Sequence, residues 1–314
     1  MNNKKPLIII AGPTASGKTE LGISLAKKIN GEIISGDSMQ IYKHLDIGTA
    51  KITKDEMDDI PHHLIDIKDP DEEYNVQLFQ ENAKKILKDI YSRKKIPIVV
   101  GGTGLYIDSL VYDYSFINED KDNILRDKLW DEYHKFGNDF LIKKLKKIDP
   151  DALNVIDLSN TKRIIRAIEI CEKSNTKFSE LEKNSRTEKE SPYNLFYFVI
   201  TMNRLELYDK INNRVDLMFE KGWLDEVKIL LESKIIYPHL RSMQSLGYRQ
   251  IIDYLNNKLT YEECVDKIKQ ETRRFAKRQL TWFRKNKDVI WLDKKNNNSE
   301  EIISHILNLI KYKI

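Results

Sequence analysis

Hydrophobic positions in the first hundred residues alternate between short apolar runs and longer stretches with helical spacing. Leu7 to Ala11 and Ile96 to Val100 are short, β-branched runs that predict buried strands. Glu32 to Asp37 predicts a further strand, which ends on an acid. Between these runs, the apolar residues from Val76 to Arg93 recur every three or four positions, as in an amphipathic helix. Strands that alternate with helices predict an α/β fold with a parallel sheet.

The pattern changes in the middle of the chain. Residues 113–192 contain no strand-like run, and helical patterns recur there at Ile124 to His134, Phe140 to Lys147 and Thr161 to Lys173. We interpret 113–192 as a helical insertion between two parts of an α/β core, 1–112 and 193–314. The end of the insertion, 177–192, is polar and predicts a mobile connection.

Beyond the insertion, the apolar pattern resumes. Asn194 to Thr201 predicts the strand that completes the sheet, and a helix is expected from Leu205 to Lys221. A short strand is also expected near Leu64 to Ile67. The rest of the chain, towards the C-terminus, has a helical pattern.

The residues after the first predicted strand have the spacing of a P-loop. The segment GPTASGKT fits G-x-x-x-x-G-K-[ST] and leads into a helix. Glycines let backbone N–H groups converge on phosphate oxygens, and the helix N-terminus adds positive potential. Lys18 can neutralise phosphate charge, and the Thr19 hydroxyl can hold Mg²⁺. We expect a diphosphate or triphosphate to bind Gly12, Pro13, Thr14, Ala15, Ser16, Gly17, Lys18 and Thr19.

Two further strand ends bear on the chemistry. In an open α/β sheet, ligands sit at the carboxyl ends of strands, so Asp37 is expected to face the same crevice as Lys18 and to be catalytic. Its alternative role is to cap a turn, since Asp-Ser commonly begins one. The strand before Gly101 and Gly102 lacks the terminal acid with which P-loop NTPases hold Mg²⁺. Routine NTP hydrolysis is therefore not expected, and the glycines predict close approach of something bulky to the backbone.

Composition indicates an intracellular globular protein. Of 314 residues, 40% are hydrophobic and 32% charged, and the two cysteines, Cys171 and Cys264, are far apart. Neither a disulfide framework nor a zinc module follows, which favours a reducing compartment. We expect His62 and His63 to pack and hydrogen bond rather than bind a metal. Since no apolar run approaches membrane-spanning length, we expect a soluble, cytoplasmic protein with no membrane partner.

The distribution of charge is more informative than its net value of +4. Residues 271–287 contain seven basic side chains and one acid, with three aromatic residues among them. Basic groups pair with phosphates and aromatic rings stack on unpaired bases, so this segment predicts a nucleic-acid surface. Phe275 and Trp282 are themselves expected to pack in the core. A second basic stripe, either solvated or facing an anion, consists of Lys162, Arg163 and Arg166.

Seven motifs follow one another in order along nearly the whole chain. They are GPTASGKT from Gly12, DSMQ from Asp37, DIGTAK from Asp46, PHHLID from Pro61, GGTGLY from Gly101, GYR from Gly247 and KRQLTWFR from Lys277. Together they resemble the bacterial tRNA dimethylallyltransferases, also called tRNA isopentenyltransferases. The resemblance implies a P-loop NTPase-like core and transfer of a dimethylallyl group from dimethylallyl diphosphate to N6 of the adenosine immediately 3′ of the anticodon. It further implies Mg²⁺ and a tRNA anticodon stem-loop as partner. We expect the protein to be a monomer.

The resemblance also implies roles for individual residues. Asp37 matches the family's catalytic aspartate, which takes a proton from the adenine amine. Thr19, through Mg²⁺, and Arg214 would stabilise the departing diphosphate. The helical insertion would contact the anticodon stem. By motif matching, the tRNA path would be lined by Asp37, Ser38, Met39, Gln40, Thr103, Arg126, Lys162, Arg163, Ile164, Ile165, Arg166, Gln244, Gly247, Tyr248, Arg249, Lys277, Arg278, Gln279, Thr281, Trp282 and Arg284.

Three other functions stay open at this point. A P-loop kinase of a nucleoside or small metabolite would hold ATP in the loop and use Asp37 to deprotonate a hydroxyl, but it would leave the basic segment 271–287 unused. An adenylate isopentenyltransferase would use the same donor with a mononucleotide acceptor. An RNA-binding protein with a regulatory P-loop would tolerate the loss of Asp37.

Overall fold

The computed structural model describes residues 4–116, 123–174, 176–186, 190–294 and 299–311. The chain divides into two compact units. The first consists of Met1–Asp113 together with Ser191–Ile314, and the second of Tyr114–Glu190. The first unit contains a β-sheet, and the described part of the second is helical.

A parallel sheet forms the centre of the first unit. Within the described residues it has six strands: β1 (Pro6–Ala11), β2 (Gly31–Ser35), β3 (His62–His63), β4 (Ile96–Gly101), β5 (Asn194–Thr201) and β6 (Val289–Asp293). Their order is β3-β2-β4-β1-β5-β6, with all pairs parallel. β1 is central, since Ile8 lies opposite both Ile98 and Phe196. The predicted α/β fold with a parallel sheet is confirmed.

Helices surround this sheet and make up the second unit. The first unit begins with α1 (Lys18–Ile29), α2 (Lys54–Met57), α3 (Val76–Ser92) and α4 (Gly104–Val111). The second unit contains α5 (Asn123–Phe136), α6 (Asn138–Ile148), α7 (Ala152–Val155), α8 (Thr161–Ser174) and α9 (Phe178–Arg186). The first unit resumes with α10 (Arg204–Glu220), α11 (Trp223–Glu232), α12 (Tyr248–Leu255), α13 (Tyr261–Phe283) and α14 (Ser299–Ile310). Among the residues described, none of these helices combines the length and the apolar composition needed to cross a membrane.

Both faces of the sheet are buried. Leu7 of β1 belongs to a core cluster that includes Phe79 of α3, whereas the next residue, Ile8, packs in a second cluster with Leu21 of α1 and Ile302 of α14. Successive side chains of a strand point to opposite faces, so a parallel strand covered on both sides needs apolar residues throughout. This explains the uninterrupted apolar run of β1 and places the loop that follows it at the middle of the sheet.

The structure corrects two strand predictions. The sheet does not end at β5, because β6 pairs with it and places Val289 opposite Tyr197. β6 lies at the sheet edge, where Ile290 and Trp291 are partly exposed, and its run of four apolar residues, 289–292, interrupts the helical pattern expected for the C-terminal part of the chain. The short strand is at His62–His63 rather than at Leu64 to Ile67. There Leu64 and Asp66 adopt positive φ angles of 62° and 55°, which end the extended conformation.

The second unit has its own apolar core, formed by residues such as Leu129, Leu145 and Ile168. The connection expected over 177–192 is helical in most of its described part, because α9 begins at Phe178. The backbone N–H and the hydroxyl of Ser179 donate to the buried carboxylate of Asp149 at 2.7 and 2.8 Å. These bonds fix the start of α9 against the preceding helices; residues 187–189 lie outside the described residues.

Candidate active site

The loop between β1 and α1 leads into the N-terminus of α1, in the order strand, loop and helix that its sequence predicts. Gly17 precedes α1 with φ 79°, in the left-handed region that favours glycine. The loop borders a cavity of about 400 Å³, lined here by Thr14, Lys18 and Thr19. A helix N-terminus and a lysine that meet at one cavity form an anion site.

Asp37 and Arg214 line the same cavity as Lys18. Burial and the neighbouring Arg214 lower the pKa of Lys18 to about 8, while Asp37 opposes this shift. Burial also lowers the pKa of Arg214, and Asp37 is the largest influence in the opposite direction. Two cations and one carboxylate therefore share a poorly hydrated space. The structure brings together three of the residues that the sequence singled out from distant parts of the chain.

Asp37 also has the local role considered as its alternative. One of its carboxylate oxygens, Oδ1, accepts a hydrogen bond from the N–H of Met39 at 2.8 Å. This Asx-turn bond orients the side chain just beyond the end of β2. The N–H of the next residue, Ser38, donates to Thr103 Oγ1 at 3.1 Å, which joins this loop to the start of α4. Turn formation and exposure to the cavity are therefore compatible in Asp37.

Contacts within the protein require glycines at the end of β4 and directly after it. A Cβ at Gly101 would lie 2.3 Å from the carbonyl oxygen of Gly36, and one at Gly102 would lie 2.2 Å from the amide nitrogen of Gln279. The bulky group expected near these glycines is therefore protein, namely the end of β2 and a side chain of α13.

The basic helix α13 is hydrogen-bonded to the P-loop. Gln279 is buried, accepts from the N–H of Thr14 at 3.0 Å and donates to the carbonyl of Gly102 at 2.9 Å. One helical turn on, Trp282 Nε1 donates to the Asp108 carboxylate at 2.6 Å. Burial raises the pKa of Asp108 to about 6. These bonds fix the buried side of α13, and its exposed side presents Lys277, Arg278, Thr281 and Arg284.

Phe275 corrects the expectation that the aromatic residues of this segment lie in the core. It is 37% exposed and lines the cavity together with Arg278. The buried face of α13 is formed by residues such as Ala276 and Phe283 instead. Since successive helical residues are about 100° apart, Phe275 cannot share the direction of Ala276.

Two residues of α11, which the sequence did not indicate, form the wall around the DIGTAK segment. Glu226 accepts hydrogen bonds from the N–H groups of Asp46 and Ile47 at 3.0 and 2.7 Å, from Gly48 at 3.4 Å, and from the Tyr248 hydroxyl at 2.7 Å. Trp223, one turn earlier, is fully buried and lines the cavity. Glu226 is almost 180 residues from its backbone partners, so local spacing contains no signal for this contact.

The residues predicted near the GYR motif differ in their exposure to solvent. Gln244 and Arg249 are exposed, whereas Gly247 and Tyr248 are buried. Of these four residues, Tyr248 lines the cavity. His63 contacts the Glu32 carboxylate at 2.8 Å, and His62 contacts the Ile60 carbonyl at 2.7 Å. Burial lowers the pKa of His62.

Oxygen donors suitable for Mg²⁺ line the cavity. The Thr19 hydroxyl and the Asp37 carboxylate both face it. Mg²⁺ commonly takes one or two protein oxygens and completes its shell with waters and substrate phosphates, so this small donor set fits the ion. Among the residues described, no three His, Cys, Asp or Glu side chains cluster as a complete protein-made metal site.

The predicted tRNA contacts of the insertion need a correction. Ile164 and Ile165 are 0% and 2% exposed and pack in the core of the second unit, so their side chains offer no surface to RNA. They lie between Lys162 and Arg166 in sequence but on the opposite face of α8. Lys162 is exposed. The arginines have acidic partners: Arg126 binds Glu169 through two bonds at 2.6 and 2.7 Å, Arg166 contacts Glu169 at 3.4 Å, and Arg163 binds Glu182 at 2.8 Å.

Comparison with known proteins assigns a family to this architecture. Residues 40–286 match the family model described as IPP transferase. The chain is 48% identical over 301 residues to a tRNA dimethylallyltransferase of Carboxydothermus hydrogenoformans, with 96% of each chain covered. It is 46% identical over 312 residues to a protein of the same name from Bacillus mycoides, with 99% of this chain and 96% of the relative covered.

Solved structures agree with this similarity. The full-length tRNA isopentenylpyrophosphate transferase from Bacillus halodurans superposes with a TM-score of 0.74 at 44% identity, over 99% of this chain and 97% of that one. A eukaryotic dimethylallyltransferase acting on tRNA superposes with a TM-score of 0.83 at 30% identity, over 99% of this chain and 80% of that one.

Proposed function

The chain belongs to the IPP transferase family, and on this premise we propose that it transfers a dimethylallyl group from dimethylallyl diphosphate to an adenosine of tRNA. The resemblance indicated by the seven motifs is thereby confirmed at the level of the family. The acceptor atom is N6 of the adenosine immediately 3′ of the anticodon, and diphosphate is released. The observation that supports this most directly is the shared cavity of Asp37, Lys18 and Arg214, with Arg278 of the basic helix on its lining.

Asp37 is the general base of this reaction. An exocyclic adenine amine is a weak nucleophile because its lone pair is delocalised into the ring. As the bond between N6 and the allylic carbon forms, the amine becomes acidic and a nearby carboxylate can take its proton. Such catalysis contributes roughly 10²- to 10⁴-fold in rate. The bond from Met39 N–H to Oδ1 orients the carboxylate for this role.

The cations of the cavity stabilise the departing diphosphate. Its negative charge grows as the bond between the allylic carbon and oxygen breaks, and Lys18, Arg214 and the backbone N–H groups of the P-loop are donors for that charge. Thr19 would hold Mg²⁺, and the ion when bound would neutralise phosphate charge. Poor hydration of the cavity makes each of these interactions stronger than in water.

The adenine must leave its stack to enter the cavity, at a cost of a few kcal/mol. The exposed basic residues of α13 are suited to the phosphates of the anticodon loop, and Phe275 offers a ring on which a base can stack. We propose that the second unit binds the anticodon stem, with Lys162 as an exposed cation. A cytoplasmic location and a monomeric state stay predictions.

A labelling experiment tests this function. The protein, Mg²⁺ and radiolabelled dimethylallyl diphosphate are incubated with unmodified tRNA, with AMP, or with ATP and nucleosides in separate reactions. Label should enter tRNA only. Transfer to AMP would identify an adenylate isopentenyltransferase, and ATP consumption with phosphorylation of a nucleoside would identify a kinase.

Asp37→Asn is the matched variant for this experiment. An asparagine keeps the oxygen that accepts from Met39 N–H, so the turn is retained, but its amide cannot take a proton. We expect transfer to fall by about 10²-fold or more while tRNA binding is unchanged. Full activity in this variant would show that Asp37 acts only in the turn.

A further inference from the structure

One wall of the cavity leads away from the cationic site along α10. Arg214 is followed on this helix by Val215 and Met218, which also line the cavity. At a rise of 1.5 Å per residue, Met218 lies about 6 Å beyond Arg214 along the helix axis. Trp223 lies just beyond the end of α10 and belongs, like Val215, to one apolar cluster. A donor whose diphosphate is held at Arg214 therefore has an apolar surface ahead of it that ends at Trp223.

The indole of Trp223 is held so tightly that it cannot retreat from the cavity. It is 1% exposed. A Cβ at Gly48 would lie 2.1 Å from its Nε1, and a Cβ at Gly247 would lie 2.0 Å from its ring. The rings of Tyr248 and Phe219 pack against it, with centroids 5.8 and 5.6 Å away. Backbone packs against two sides of this side chain and aromatic rings against two others, so the indole is fixed in position.

Size, rather than hydrogen bonding, is what this tryptophan contributes. Its Nε1 is buried and has no hydrogen-bond partner among the described residues. A shorter apolar side chain would therefore break no hydrogen bond and would enlarge the cavity at this position. Nothing in the local sequence indicates this role, since the two glycines are 175 and 24 residues away in the chain.

We propose that Trp223 forms the end of the donor-chain site and limits the donor to a five-carbon allylic group. This inference rests on the proposed function and adds a specificity residue to it. The chemistry is unchanged for a longer donor: the bond from the allylic carbon to oxygen breaks, its electron pair leaves with diphosphate, the bond to N6 forms, and the proton goes to Asp37. The additional isoprene unit of a ten-carbon donor needs the space that the indole fills.

The experiment compares dimethylallyl with geranyl diphosphate as donors to unmodified tRNA. We would measure kcat/KM for each donor with the wild type, Trp223→Phe and Trp223→Leu, and check folding by thermal melting. A single methylene misfit in an apolar pocket changes discrimination by roughly 10- to 200-fold. We therefore expect the ratio of geranyl to dimethylallyl transfer to rise at least about tenfold in Trp223→Leu, and less in Trp223→Phe.

Phe79→Leu is the control for a general loosening of this core. Phe79 is buried in the same apolar cluster as Trp223, but it stacks on Tyr106 and does not line the cavity, so its truncation should leave the donor ratio unchanged. An equal rise in this control, or an unchanged ratio in a folded Trp223 variant, would overturn the inference. A Trp223 variant that weakens tRNA binding instead would place the indole in the acceptor site and also overturn it. Dimethylallyl transfer by the wild type tests the proposed function independently of these outcomes.

Discussion

The four hydrogen bonds of Glu226 allow a quantitative prediction about the wall of the cavity. In Glu226→Gln the side chain keeps its shape but becomes neutral, and only one of its two terminal atoms can accept. The best placement keeps the oxygen at the N–H groups of Asp46 and Ile47 and turns the amide nitrogen towards the Tyr248 hydroxyl, which can reverse its own bond. The weak bond from the Gly48 N–H, at 3.4 Å, is lost.

The magnitude follows from the change in bond type. A hydrogen bond to a charged group contributes about 1.5–3 kcal/mol and a neutral one about 1 kcal/mol. Conversion of three bonds from charged to neutral and loss of the weak fourth should therefore lower the free energy of unfolding by at least about 2 kcal/mol. Glu226→Ala leaves the same donors without any acceptor and should cost more.

Urea denaturation at pH 7 measures this effect, together with the KM for the donor. Gly48 and Thr49 line the cavity, so a loosened 46–48 segment should also raise the donor KM. Glu232→Gln, an exposed change at the end of α11, is the control and should change neither quantity. If Glu226→Gln matches the wild type in both stability and KM, the carboxylate does not hold this wall.

Three further predictions concern charge. Burial lowers the pKa of Lys18 to about 8, so this lysine loses its charge as the pH rises through 8. The KM for the donor should therefore rise about tenfold for each pH unit above 8. In a pH series, Lys18→Arg should abolish this dependence because arginine stays charged. Burial raises the folded-state pKa of Asp108 to about 6. The contribution of this residue to stability is therefore complete below about pH 4 and is lost as the pH rises through 6. Relative to Asp108→Asn, urea titrations should show the free energy of unfolding fall by about 3 kcal/mol over that pH range. Arg278→Ala should lower the slope of log tRNA affinity against log salt by about 1, and an unchanged slope in filter binding would exclude a phosphate contact.

Local motifs predicted residues that meet at the candidate site, because each motif is one short segment of the chain. Thr14, Lys18 and Thr19 of the cavity lining come from one contiguous loop, and Asp37 lies two residues beyond the end of β2. The parallel sheet was predictable for a similar reason, since β1, β4 and β5 contain continuous apolar runs. β6 was missed because its apolar run is only four residues long, and periodicity does not distinguish so short a run from a turn of helix.

The other parts of the site depend on contacts between distant segments. Trp223 and Glu226 act on Gly48 and its neighbours across more than 170 residues, and neither belongs to a recognisable motif. Helix direction accounts for two further errors. Phe275 faces the cavity because the adjacent Ala276 occupies the buried face, and Ile164 is buried because the basic stripe around it points the other way.

The identity of the modified nucleoside is the sharpest test of the proposed transfer to tRNA. An unmodified anticodon stem-loop would be incubated with dimethylallyl diphosphate and Mg²⁺, digested to nucleosides and short fragments, and analysed by mass spectrometry. We predict one dimethylallyl group on the adenosine immediately 3′ of the anticodon with the wild type, and almost none with Asp37→Asn. A modified base elsewhere, or equal modification by both proteins, would contradict the assignment of Asp37 as the base that acts on this adenosine.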